Sequence, residues 1–242
     1  GKCNDTVAAS GVESGGTIVA SETNVVQASP ATCSTTGAQK ILAVIVNMPG
    51  YTISAPSETI LRGIFLGNAA SGESVSPDRH ISDFWMKSSD GKTWVNNTGA
   101  GALTILTTTL DQNMAYCNCG TSGCSDNSGA VRQAVYAKVD PLVNFTEFSR
   151  VVMILPQNNT CSGIAGVASL GCWGNEAPGD GQSNISWTWW RADQSSGRSN
   201  GVMLGTHEMG HNLTMSHSGS RDHGAEVIGP VGSAGSRVEY GD

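Results

Sequence analysis

Ile41-Leu42-Ala43-Val44-Ile45-Val46-Asn47-Met48, closed by Pro49-Gly50, is the stretch that decides the fold. A strand with one wet face alternates apolar and polar residues. This run does not alternate, so it predicts a strand buried on both faces. Val151-Val152-Met153-Ile154-Leu155, stopped by Pro156, is a second run of the same kind. Helical patterns lie between the two. Doubly buried strands separated by helices indicate an α/β chain whose sheet is covered on both sides.

Working outward, residues 57–66 carry a helical stripe of Ile60, Leu61, Ile64 and Phe65, with Ser57 placed to cap it. Residues 77–87 predict a second helix through Ile81, Phe84 and Trp85, with Ser76 as cap and Pro77 at its first position. Asn127 or Ser128 can open a third helix, packed through Val131, Val135 and Val139. A fourth runs from Asn200 to about Leu213. Shorter strands are expected around Trp94-Val95, over residues 103–110 and over 185–190, and a tight cross-linked loop over 117–124. Residues 1–38 read as a loosely structured or β-rich arm. With no internal repeat or linker, residues 39–242 read as one domain.

Composition narrows the function. The 242 residues carry 13 Lys and Arg and a net charge of -7, with no basic cluster, which excludes a nucleic-acid interface. No apolar run approaches the roughly 18 residues that span a bilayer. The chain opens at Gly1-Lys2-Cys3, as a mature or trimmed product does. Seven cysteines accompany six Asn-x-Ser/Thr sequons, at Asn4, Asn96, Asn144, Asn158, Asn184 and Asn212, which favours an oxidising, extracellular setting. The preferred bridge is Cys161 with Cys172, and the second is Cys3 with Cys33. The odd count leaves one thiol over.

The chemistry concentrates in His207-Glu208-Met209-Gly210-His211-Asn212-Leu213-Thr214-Met215-Ser216-His217. Helical positions four apart share a face, so His207 and His211 can offer nitrogens to one ion. His217 can join them only if the chain leaves the helix near Thr214 and turns back. Three histidines then leave one position of a tetrahedral Zn2+ open for water, with Glu208 beside it as a candidate general base. His223 is a spare candidate ligand, and His80 has no assigned role.

This stretch resembles the zinc signature of the metzincin metalloproteases, and within that clan the gametolysin family of secreted algal cell-wall and matrix proteases. Ser82-Asp83-Phe84-Trp85, residues 145–156, residues 163–172 and Glu239-Tyr240-Gly241-Asp242 are similar to further family stretches. The resemblance implies an α+β, metzincin-like fold with a twisted, mostly parallel sheet and the zinc helix below it. It implies a secreted zinc endopeptidase of the extracellular matrix or cell wall, with a peptide or glycoprotein substrate and a propeptide as inhibitor. Catalysis would rest on Glu208 and metal binding on His207, His211 and His217.

Two departures qualify it. Thr214 stands where the clan has glycine, at a turn that needs a left-handed backbone. No methionine follows Met215, so the methionine turn is missing and the lower subdomain is expected to be truncated. The competing expectation is a weakly active or inactive metalloprotease-like glycoprotein, structural or adhesive, of an extracellular surface.

Overall fold

A computed structural model of the chain describes residues 6–14, 17–26, 33–51, 56–67, 79–121, 123–157, 161, 163–172, 176, 178–181, 184–195, 198–222 and 236–239. For residues 6–26, 195, 198, 220, 221 and 237–239 it describes the backbone alone. The elements are β1 (Thr6–Ser14), β2 (Thr17–Val26), β3 (Gly37–Gln39), β4 (Ile41–Asn47), α1 (Glu58–Leu66), α2 (Ile81–Ser88), β5 (Thr93–Val95), β6 (Thr104–Thr109), β7 (Cys117–Gly120), β8 (Gly123–Asp126), α3 (Gly129–Val139), β9 (Arg150–Leu155), β10 (Gly166–Ala168), β11 (Ser186–Arg191), α4 (Arg198–Asn212), β12 (Gly219–Asp222) and β13 (Ser236–Glu239).

The central sheet has the order β10-β11-β9-β4-β6. β11, β9, β4 and β6 run parallel, and β10 is an antiparallel edge. β4 and β9 occupy the interior, as their unbroken apolar runs require. Their side chains divide with period two. Leu42, Val44, Val46, Val151, Met153 and Leu155 face a core shared with Val131, Val135 and Val139 of α3. Ile41, Ala43, Ile45, Val152 and Ile154 face the opposite core, shared with Leu61 and Phe65 of α1, Trp85 of α2 and Met209 of α4. Each fully buried Val, Leu, Ile or Met side chain among these contributes about 1.5–3 kcal/mol through water exclusion. The sheet is therefore covered on both sides, and α4 lies on the same side as α1 and α2.

This is a mixed α+β fold, with a parallel sheet, an antiparallel edge and several helices. It does not single out the zinc-helix arrangement that the metzincin resemblance implied. α1 begins where expected: the Ser57 side chain accepts from the Ile60 amide at 3.3 Å. α2 begins later than expected, because the His80 ring, not Ser76, accepts the orphan amide of Asp83 at 3.1 Å. Ser76 and Pro77 lie outside the described residues, as does His223.

The cysteine pairing differs from both expected bridges, Cys161 with Cys172 and Cys3 with Cys33, while the cross-link expected within residues 117–124 is present. Cys33 bonds to Cys172, Cys117 to Cys161 and Cys119 to Cys124. Cys161 is drawn into the core beside Cys117, away from its neighbour in sequence. Cys3 lies outside the described residues. Three disulfides are consistent with a secreted or extracellular protein. Among the described residues no helix is long and apolar enough to cross a membrane.

Candidate metal centre

α4 carries two of the three clustered histidines, and its end delivers the third. Helix ends leave carbonyls without partners, and those at the end of α4 are all engaged. Gly210 O accepts from Leu213 and Met215 amides at 2.9 and 3.1 Å. His211 O accepts from Thr214 and Gly171 amides at 2.9 and 2.7 Å. The bonds from Met215 to Gly210 and from Thr214 to His211 make a Schellman motif, with Thr214 at the left-handed position. Its φ is 71°, the conformation glycine adopts cheaply and a β-branched residue does not. The sequence thus places a strained residue at the turn that swings His217 back.

A buried arginine fixes the same end. Arg150 is 0 % exposed and donates from Nη1 to Asn212 O at 2.9 Å. It also donates to Gln39 Oε1 at 2.7 Å, Ser186 Oγ at 2.9 Å and Ser34 O at 2.7 Å. A cation at a helix C-terminus meets the negative end of the helix dipole. Burial lowers the Arg150 pKa to about 10, which still leaves it charged at neutral pH. Asn212 adds a second tie: its Nδ2 donates to Ser169 O at 2.9 Å and its Oδ1 accepts from Thr188 Oγ1 at 2.7 Å. With the side chain 1 % exposed and its amide engaged, the Asn212 sequon is closed to a glycan in the folded chain.

The turn brings His217 onto the two helical histidines. One ligand atom from each of His207, His211 and His217 lies within 4.8 Å of the others. His211 Nε2 and His217 Nε2 are 3.1 Å apart. Two nitrogens at about 2.0–2.1 Å from one tetrahedral ion stand roughly 3.3 Å apart, so this spacing suits a shared ion. His211 Nδ1 lies 2.7 Å from Met215 O. A proton there donates to that carbonyl and leaves Nε2 as the lone pair that faces His217. The pKa of His207 is lowered, first by burial and then by the charges of His211 and His217, which favours the neutral, ligating imidazole. The donor set can hold a divalent metal.

Glu208 does not belong to this cluster. It is 6 % exposed and packs beneath β10, where a Cβ on Gly166 would stand 2.8–3.0 Å from its Cγ, Cδ and Oε1. Burial raises its pKa to about 7. A raised pKa without an assigned partner does not by itself make a catalytic group.

No family model, curated protein or solved structure matches the chain. The resemblance to metzincins and gametolysins therefore rests on short stretches alone and is not upheld. The zinc endopeptidase expected from it, with Glu208 as general base, is corrected for the same reason and one more: among the described residues the converging side chains are three histidines, without the Glu208 carboxylate that the expected chemistry needs.

Sequence reasoning identified the residues that converge, since a spacing of four is legible without coordinates. It missed Arg150 and Asn212, which hold the helix end. Arg150, a lone cation heading an apolar strand, was the available signal.

Proposed function

We propose that this chain is an extracellular metal-binding protein of structural or adhesive type, in which His207, His211 and His217 hold one divalent ion. The observation that carries the reading is the approach of three imidazole nitrogens to within 4.8 Å of one another. Imidazole donors suit zinc, copper and nickel, and a three-histidine set on a tight turn suits tetrahedral zinc best. Zinc is accordingly the proposed occupant. Its affinity would tie α4 to the segment that follows and so stabilise the folded state.

The setting is a cell wall or matrix surface. The three disulfides support an oxidising compartment, and the exposed sequon at Asn184 offers a glycan site. The domain that binds metal would comprise residues 39–242, with residues 1–38 as an appended arm.

Equilibrium dialysis against zinc, with metal content measured per chain, tests this. The chain is expected to take up one zinc, and His211→Ala to lose it. The zinc-loaded chain is expected to leave casein and gelatin uncut. No zinc uptake, or zinc-dependent cleavage abolished by His211→Ala, would overturn the reading.

A further inference from the structure

Three large apolar side chains stand exposed beside the histidine cluster. Phe84, Met203 and Met215 are 49 %, 68 % and 49 % exposed. They line two adjoining hollows. One, of about 390 Å³, is bounded by His207, His211, His217 and Met215. The other, of about 500 Å³, lies between α2 and α4 and has Arg79, Asp83 and Lys87 at its wall. Phe84, Met203 and Thr206 are shared by both, so the space runs continuously from the histidines along the two helices.

Its chemistry selects a ligand class. Three imidazoles leave a tetrahedral ion one position, which an oxygen donor fills. A bound divalent cation favours an anion; Lys87, further along, is already paired with Asp83 at 2.8 Å. The wall between them is apolar and adaptable, with a thioether, a phenyl ring and a threonine whose hydroxyl donates back to Val202 O at 2.8 Å. The Met215 methyl would lie 3.1 Å from a Cβ on Gly210, so it folds over the helix beside the cluster.

The walls are poorly suited to an extended peptide. Peptide recognition by strand addition needs unpaired backbone donors and acceptors. α2 and α4 use theirs internally, and Met215 O is engaged by His211. An unbranched aliphatic tail needs only apolar contact.

We propose that this hollow binds an aliphatic carboxylate, with the carboxylate on the ion held by His207, His211 and His217 and the chain lying over Met203 and Phe84. The proposal rests on the metal-binding reading above and names the ligand of that site.

Calorimetric titration of the zinc-loaded full chain with octanoate and with acetate tests it, with zinc content measured on the same sample. Each methylene buried tightens binding by about fourfold, so octanoate is expected to bind more than tenfold tighter than acetate. Zinc-free protein is expected to bind neither. The double variant Phe84→Ser, Met203→Ser alters exposed residues only; it should keep its zinc and bind octanoate no better than acetate. Equal binding of the two acids by zinc-loaded protein overturns the proposal and leaves the metal site standing. So does octanoate binding that survives the double variant, or a leucine-terminated tetrapeptide that outcompetes octanoate. Failure to take up zinc at all overturns both readings together.

Discussion

Glu208→Gln tests, by its effect on stability, whether Glu208 is buried as an uncompensated carboxyl. Burial raises the Glu208 carboxyl from its ordinary 4.5 to about 7 in the folded chain. Below pH 4.5 the group is protonated in folded and unfolded chains alike, and it costs nothing. Between pH 4.5 and 7 the unfolded chain ionises while the folded chain holds its proton, so stability falls as pH rises. Above about pH 7 both are ionised and the folded state bears the whole penalty. The gap between 4.5 and about 7 corresponds to about 3 kcal/mol. Glutamine keeps the shape and never ionises. Urea unfolding from pH 4 to 8.5, in chelator to remove metal, measures both proteins. The Gln variant is expected to match the parent below pH 4.5 and to exceed it by about 3 kcal/mol above pH 7. Parallel profiles, or a Gln variant less stable at pH 8, would refute the buried-carboxyl account.

Other outcomes follow from the end of α4. Thr214 has φ 71°, and Thr214→Gly should raise stability by about 1 kcal/mol, as relief of left-handed strain outweighs the added freedom of the unfolded chain. Thermal unfolding measures this; a loss of stability would show that the threonine carries a contact worth more than its strain. Arg150→Met removes the donor to Asn212 O, Ser186 Oγ, Gln39 Oε1 and Ser34 O, so that acceptors on three buried residues, Asn212, Ser186 and Gln39, lose it. It should cost about 3 kcal/mol in urea unfolding and weaken zinc uptake. An unchanged zinc affinity would mean that Arg150 does not position the helix end.

The two interior strands were legible because nothing interrupts their apolar runs, and a strand buried on both faces has no reason to alternate. α1 was legible from a serine before an apolar stripe, and α3 from its Val131, Val135 and Val139 stripe, although Ser128 makes no side-chain cap there. The edge strand β10 showed only through the family resemblance of residues 163–172, because Gly166, Val167 and Ala168 carry no alternation in so short a span. The local cross-link of residues 117–124 was legible, whereas the long-range disulfides were not, for a physical reason. Closeness in sequence suggested Cys161 with Cys172, but Cys161 sits at 0 % exposure in the core with Cys117, and Cys172 meets Cys33, 139 positions earlier. Within the site, the spacing of His207 and His211 foretold a shared face. Whether His217 joins them depended on one backbone angle at Thr214, which no side-chain pattern encodes. Eleven residues encode a metal cluster, not a whole enzyme, and neither the comparisons nor the three-histidine cluster sustains that step.

The central claim is that His207, His211 and His217 form one metal site. X-ray absorption spectroscopy of the zinc-loaded chain at one equivalent tests it directly, alongside the His217→Ala variant. The account predicts three imidazole nitrogens at about 2.0–2.1 Å from zinc, falling to two in the variant. A shell of oxygens, a sulfur ligand, or a spectrum unchanged by His217→Ala would contradict it.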